Sequence, residues 1–372
     1  MRIKRSIRLG TVLLSVLALC ALLYMPAQAA TRAALHTAGK NNAVTSINAN
    51  VYLTGQMLRP MFQSNINQQL PPMVHSSIAG MVNGLPKQDQ GWATQMANAL
   101  IQPSATLTGL TPQASGLQVS LKVSLYPGDP KPTTTGVLIG FSVADPSTIQ
   151  VTALPGKGGQ SLVSGPLTTF HVPIGSLNSI SATPNCGASD LNVNLKFPVT
   201  LGQPGQAASQ PSTGTAPLAY TRPAAPVSAT DSYIEIPASS LAQLGGSIGN
   251  MPVSNSLTAE NIRVGVQGHD LTITSDIYWY GLNIGTAVST MTPGTASGNL
   301  VVNVLNTSMQ ILGFITFPVN SYNQQVEQML NTKLNGALTG KFTVAQAAIG
   351  PNPALPCAAA NSLVLAGTIA LG

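Results

Sequence analysis

The sequence predicts an α+β protein in which long, curved antiparallel sheets pack against amphipathic helices. Two patterns point there. Apolar residues alternate with polar ones over stretches longer than the usual five or six residues of a strand. Elsewhere apolar residues recur at i, i+4 and i+8, the spacing of one helix face. Composition agrees. The 372 residues are 44% hydrophobic, enough for a sizeable core, and only 7% charged, against about 25% in an ordinary globular chain. That balance excludes a coiled coil, a nucleic-acid-binding domain with a strong basic field, and an acidic disordered chain.

Arg2, Lys4, Arg5 and Arg8 precede an uncharged apolar run from Leu9 to Met25, then Pro26 and the small-x-small sequence Ala27-Gln28-Ala29. This is the pattern of a secretory signal peptide, residues 1–29. The run is short for a membrane span, which needs about 20 residues. Leu19 before Cys20 does not fit a lipoprotein site. Cleavage removes four of the 16 basic residues and leaves twelve against ten acidic ones, a net charge of about +2, too small to argue for a polyanionic partner. Arg32, Lys40, Arg59 and Lys87 precede the first acidic residue, Asp89. A membrane surface is therefore a second candidate partner, beside scattered solvated charge.

Without Cys20, Cys186 and Cys357 remain. An even count outside the cytoplasm suggests a disulfide, with two free thiols as the alternative. The long loop such a bond closes is worth about 4–5 kcal/mol in the chain-entropy account.

Residues 30–50 are small and polar and read as a flexible leader; an N-terminal α+β half follows over 51–201. From Tyr52 to Ile101 the spacing is helical. Phe62, Ile66 and Leu70 form one stripe; Ile78, Val82 and Leu85 form another after a break at Pro71-Pro72; Trp92, Met96 and Leu100 form a third, stopped by Pro103. Such stripes read as core faces, with an amphipathic hairpin as the alternative. The period then becomes two. Leu117, Val119, Leu121, Val123 and Leu125 face a return strand of Val137, Ile139, Phe141 and Val143 across a proline-rich loop. Ile149 to Ala153 and Leu191 to Leu201 continue the alternation.

Residues 202–230 carry five prolines among Gly, Ser, Thr and Ala, and read as a linker or long loop. The C-terminal half, 231–372, opens with Tyr233 to Pro237 and a short helix around Leu241 and Leu244. A hairpin turns at Gln267 to Asp270. Leu271, Ile273, Ile277 and Trp279 lie on one face of its second strand. Ala287, Ser289 and Met291 lead to a turn at Pro293-Gly294, and Leu300 to Leu305 follows. A helix then carries Val319, Tyr322, Val326, Met329, Leu330 and Leu334, capped at Asn320 or Ser321 and ended by Gly336. Leu363 to Leu371 is a last strand.

Over Ile234 to Gly336 the chain resembles the bacterial cell-envelope members of the tubular lipid-binding superfamily. The resemblance rests on the opening helix, the hairpin with a glycine at its tip, Gly298-Asn299-Leu300, and Gly313 to Pro318 leading into the amphipathic helix. It implies a curved antiparallel sheet wrapped on a helix, with an apolar groove for acyl chains.

Chemistry is sparse. His36, His75, His171 and His269 show no metal-ligand spacing, and no Cys-x-x-Cys occurs. His269 belongs to a hairpin turn and His171 to a strand. Glu235, Asp270 and Asp276 have no spacing that marks a glycosidase pair, and no Gly-x-Ser-x-Gly elbow is present. Tyr278-Trp279-Tyr280 reads as strand bracing, with an interfacial anchor or sugar platform as the alternative. The expectation is a secreted, non-enzymatic lipid-binding protein of the cell envelope that needs no cofactor, metal or nucleic acid. Leu271, Ile273, Ile277, Trp279, Val326, Met329 and Leu330 are expected to line the groove for a lipid or other apolar small molecule. A structural or adhesive module with a filled core is the rival. An envelope hydrolase using His269 or Asp270 is a third reading.

Overall fold

Ile47, Ala49, Val51 and Leu53 bury one face of the first strand, β1 (Val44–Thr54), while Asn48, Asn50 and Tyr52 take the other. The computed structural model describes residues 44–155, 165–200, 231–253, 256–311, 313, 315–320, 323–338 and 340–369. These lie within one compact unit, Asn42–Gly372. The signal peptide 1–29, most of the leader and the 202–230 linker lie outside the described residues. The leader does not reach residue 50, because β1 already begins at Val44. Its period-two burial is masked in the sequence by small and amide side chains.

Two helices follow β1. Helix α1 (Gly55–Asn83) starts where the Thr54 hydroxyl accepts the Met57 amide, and α2 spans Lys87–Leu100. A five-stranded sheet then runs β2 (Ser104–Gln113), β3 (Gly116–Ser124), β4 (Thr133–Asp145), β5 (Thr148–Ala153) and β6 (Gly165–His171) in that order. Strands β7 (Ser176–Cys186) and β8 (Ser189–Thr200) return beside β1. The second half repeats the plan. Strand β9 (Ser232–Ile236) leads into α3 (Ala238–Ile248). A six-stranded sheet follows in chain order: β10 (Met251–Pro252), β11 (Leu257–Gln267), β12 (Asp270–Trp279), β13 (Leu282–Ala296), β14 (Asn299–Ile311) and β15 (Ile315–Pro318). Helix α4 (Asn323–Leu338), β16 (Phe342–Ile349) and β17 (Leu363–Ile369) complete it.

A central sheet of order β16-β17-β9-β1-β8-β7 joins the halves. It is symmetric about its middle: β1 pairs antiparallel with β9, the first strand of each half, and the last two strands of each half flank that pair. One hydrophobic core runs through all three sheets, from Leu117, Ile149 and Phe170 through Val51, Val193 and Ile234 to Leu271, Met291 and Leu300. β-Bulges add a residue to β11 between Glu260 and Arg263, to β13 at Ile284 opposite Ile277 and Tyr278, and to β14 at Leu305 opposite Thr290 and Met291. Each such bulge bends its strand and adds twist. The fold is α+β, antiparallel and β-rich, as the alternation predicts.

Cys186 and Cys357 are disulfide-bonded, with Cα atoms 5.2 Å apart at a sequence separation of 171. The bond ties the segment between β16 and β17 to the β7–β8 turn. Leu355 and Ala358 of that segment bury against Tyr52, Tyr233, Val364 and Ala366 on the outer face of the central sheet.

Four local readings change. Helix α1 runs unbroken through Pro71 and Pro72. Proline φ is helical, so the pair removes two backbone donors without forcing an end to the helix. The Trp92, Met96 and Leu100 stripe of α2 is exposed (57%, 49% and 59%) rather than core, and α2 buries no residue. Pro293 and Gly294 lie inside β13, whose turn into β14 is Ser297-Gly298, both at positive φ. Gly336 lies inside α4, which continues to Leu338; Gly340, at φ +75°, follows it.

Pro293 is tolerated for a specific reason. Its register partner Val302 sends both its amide and its carbonyl to α4 instead of to β13. The proline therefore occupies a non-hydrogen-bonded position. The pairing of β12 with β13 already ends at Leu271–Met291, so no ladder bond is lost on the other side either.

Candidate functional site: an apolar cavity beneath the C-terminal sheet

Helix α4 is held against the sheet by amides. Asn335 accepts the Leu300 amide (3.0 Å) and donates to the Leu300 carbonyl (2.7 Å). Asn331 does the same for Val302, at 2.7 and 3.3 Å. Glu327 accepts the Val304 amide at 2.7 Å. Four helical residues advance about 6 Å and two strand residues about 6.6 Å, so side chains at every fourth helix position meet every second residue of β14. The helix thereby takes the place of a neighbouring strand along an edge that would otherwise expose backbone donors and acceptors.

Beyond Glu327 the first turn of α4 stays tied to β14, where the Thr307 hydroxyl donates to Asn323 Oδ1. The space between helix and sheet is a cavity bounded by β10–β14, Val319 and Val326. Its enclosed free space is about 50 Å³, below the roughly 300–1,000 Å³ of ligand pockets, and it is partly open to solvent. Leu257, Ala259, Ile277 and Met309 form a buried cluster along it, separate from the main core. No charged side chain is among its described lining residues. A polar stripe crosses the apolar surface: Ser275 on β12, Ser289 on β13 and Thr307 on β14, all buried. Ser289 and Thr307 share a hydrogen bond of 2.9 Å, and Thr307 donates to Asn323 Oδ1 at 2.7 Å.

The residues expected to line a groove divide into groups. Ile273, Ile277 and Val326 line the cavity. Leu271 and Leu330 lie on the same faces, buried in the continuous core, and are not among the described lining residues of this cavity. Trp279 lies at the β12–β13 tip, 41% exposed and beyond the covered part of the sheet, with its ring 5.4 Å from that of Tyr280. The side chain of Met329 lies outside the described residues. Met251, Val253, Leu257, Ala259 and Met309 line the cavity without having been singled out. The signal for β11 was present in Ile262 and Val264, whose alternation continues back through a bulge to Leu257 and Ala259.

Charged groups lie elsewhere, each with a local role. Glu235 accepts hydrogen bonds from the Tyr52 hydroxyl (2.8 Å), Asn50 (3.1 Å) and the Ala359 amide (2.7 Å). Burial, and then Glu235, push the Tyr52 hydroxyl well above the usual tyrosine range. Burial raises Asp190, beside the start of α1. Asp145 is lowered, first by the Ser147 amide. Asp270 accepts from Thr292 and Asp276 from Asn261. His269 occupies the two-residue turn between β11 and β12, with Gly268 at φ +62°, as a hairpin turn requires. Among the described residues, no group of three or more His, Cys, Asp or Glu is placed to hold a metal ion. No described helix is long and apolar enough to cross a membrane.

No protein-family model matches the chain, and no curated protein matches it. Among solved structures, P47 of Clostridium botulinum E1 is similar at 8% identity and a TM-score of 0.29, over 88% of this chain and 100% of that one. A likeness this weak carries no argument.

Proposed function

We propose that the chain is an exported, non-enzymatic protein that binds the apolar part of a lipid in the cavity between α4 and the C-terminal sheet, in the manner of tubular lipid-binding proteins. The observation that carries this reading is the lining itself: a largely apolar opening of about 50 Å³, with no charged side chain among its described lining residues, between the C-terminal sheet and the N-terminal end of an amphipathic helix. Burial of each acyl methylene contributes about 0.8 kcal/mol, so an acyl chain needs no ion pair to bind once helix and sheet move apart to admit it. Export is supported by the basic and apolar N-terminal pattern and by the disulfide. The test is mass spectrometry of organic extracts from the purified protein, with uptake of Nile red, an uncharged apolar dye, by delipidated protein. Co-purified lipid or saturable uptake is expected; neither appearing would overturn the reading.

A structural module with a filled interior is the second reading. It is favoured by the small enclosed space, about 50 Å³, and by the burial of Leu271 and Leu330 in the continuous core. It predicts that bulky substitutions at Ala287, in the cavity lining, reduce stability without altering any lipid uptake.

A further inference from the structure

The hydrogen-bond direction inside the cavity limits what a guest can carry. Thr307 has one hydroxyl hydrogen, and that hydrogen is committed to Asn323 Oδ1, an acceptor. The 2.9 Å contact between Ser289 and Thr307 therefore requires the Ser289 hydrogen. Ser289 is left with lone pairs only. The chain runs Ser289 to Thr307 to Asn323, and the end that borders the cavity is an acceptor.

We infer that the cavity selects an uncharged amphiphile bearing a hydroxyl group, such as a long-chain alcohol or an acylglycerol, over an ionised fatty acid or a phospholipid headgroup. This rests on the lipid-binding reading above and names its ligand class. A ligand hydroxyl supplies the hydrogen that Ser289 can accept. A carboxylate or phosphate at the same place would set oxygen lone pairs against oxygen lone pairs. It would also lose its hydration with no cation among the described lining residues to compensate. Ser275 adds a third hydroxyl to the same lining. The apolar tail then enters between Leu257, Ile277 and Met309, displacing contacts that these side chains make with one another.

The experiment is displacement of Nile red, an uncharged dye, from the full chain at pH 8 by dodecane, dodecanol and dodecanoate, which share one tail length. Dodecanol is expected to compete about tenfold better than dodecanoate. Ser289→Ala should reduce that advantage by weakening dodecanol alone. Thr307→Val keeps side-chain shape and frees the Ser289 hydrogen, so dodecanoate should gain relative to dodecanol. Circular dichroism and urea unfolding establish that each variant is folded, and the wild-type ratio stands as a test if one is not. Dodecanoate competing as well as dodecanol in the wild type would overturn this inference and leave lipid binding standing. Failure of all three to displace the dye, or of the dye to bind, would overturn both.

Discussion

Asn331 on α4 and Val302 on β14 exchange two hydrogen bonds, amide to side-chain oxygen at 2.7 Å and side-chain nitrogen to carbonyl at 3.3 Å. A helix side chain thus completes a backbone pairing that a strand would normally supply. Val302 is fully buried, so losing the amide leaves a donor and an acceptor without partners. Asn331→Ala is expected to cost about 1–3 kcal/mol, read as a lower urea midpoint. Gln328→Ala, on the exposed face of the same helix, should change stability by less than about 0.5 kcal/mol. Equal effects from the two substitutions would show that the ladder contributes nothing specific.

The same device recurs in the first half, where Gln63 on α1 accepts the Leu107 amide and donates to the Ala105 carbonyl, both at 2.8 Å. In each case a helix covers the edge of a strand. In sequence these amides look like a solvated face, because helix spacing alone does not distinguish water from a strand edge.

Tyr52 and Glu235 make a different kind of buried polar pair, on the outer face of the central sheet. The folded chain holds the Tyr52 proton above the usual tyrosine value, first through burial and then through Glu235. An unfolded tyrosine releases its proton near about pH 10. The stabilisation is therefore complete below about pH 10 and is lost as the pH rises above it. Stability measured by urea unfolding should fall through that range. Tyr52→Phe should flatten this alkaline decline while costing about 1–3 kcal/mol at neutral pH through the lost hydrogen bond to Glu235. An unchanged alkaline slope in the variant would assign the decline to other groups.

The fold was legible wherever one face of an element is buried and the other is not. Strands β3, β8 and β12 alternate cleanly because Leu117, Val119, Leu191, Val193, Leu271 and Ile273 meet the core while their neighbours stay wetter. Strands β2 and β7 were not recognised. They lie at sheet edges, bury few side chains, and carry Gly109, Pro112 and Pro184. Of the candidate site, Ile273, Ile277 and Val326 followed from periodicity. Whether an inward residue borders the cavity or only other side chains depends on how α4 and the sheet pack, as for Leu271 beside Ile273 on β12, and no local pattern encodes that.

The disulfide offers a test of how the segment between β16 and β17 is held. Cys186 is buried and the bond closes a loop of 171 positions, so its loss should cost about 2–5 kcal/mol. Comparison of thermal midpoints with and without reductant, and of Cys186→Ser with Cys357→Ser, measures this. Glu235 grips the same segment independently through the Ala359 amide. The reduced protein should therefore still protect that amide from hydrogen exchange more than the exposed Ala360. Loss of protection at Ala359 on reduction alone would show that the covalent bond holds the segment by itself.

Helix α2 separates the helical pattern from its expected burial. Trp92 is 57% exposed and Trp279 41% exposed, and the chain has two tryptophans. Native fluorescence should therefore be red-shifted and open to acrylamide quenching, with little further shift on unfolding. Trp92→Ser should change stability by less than about 0.5 kcal/mol. Phe62→Ala on α1, where the ring is buried 6.5 Å from that of Phe141, should cost about 3–5 kcal/mol. The contrast isolates burial from pattern, since both residues sit on apolar helical stripes of the same spacing. A blue-shifted native spectrum that acrylamide quenches poorly, with a large cost for Trp92→Ser, would place the α2 stripe in a buried setting.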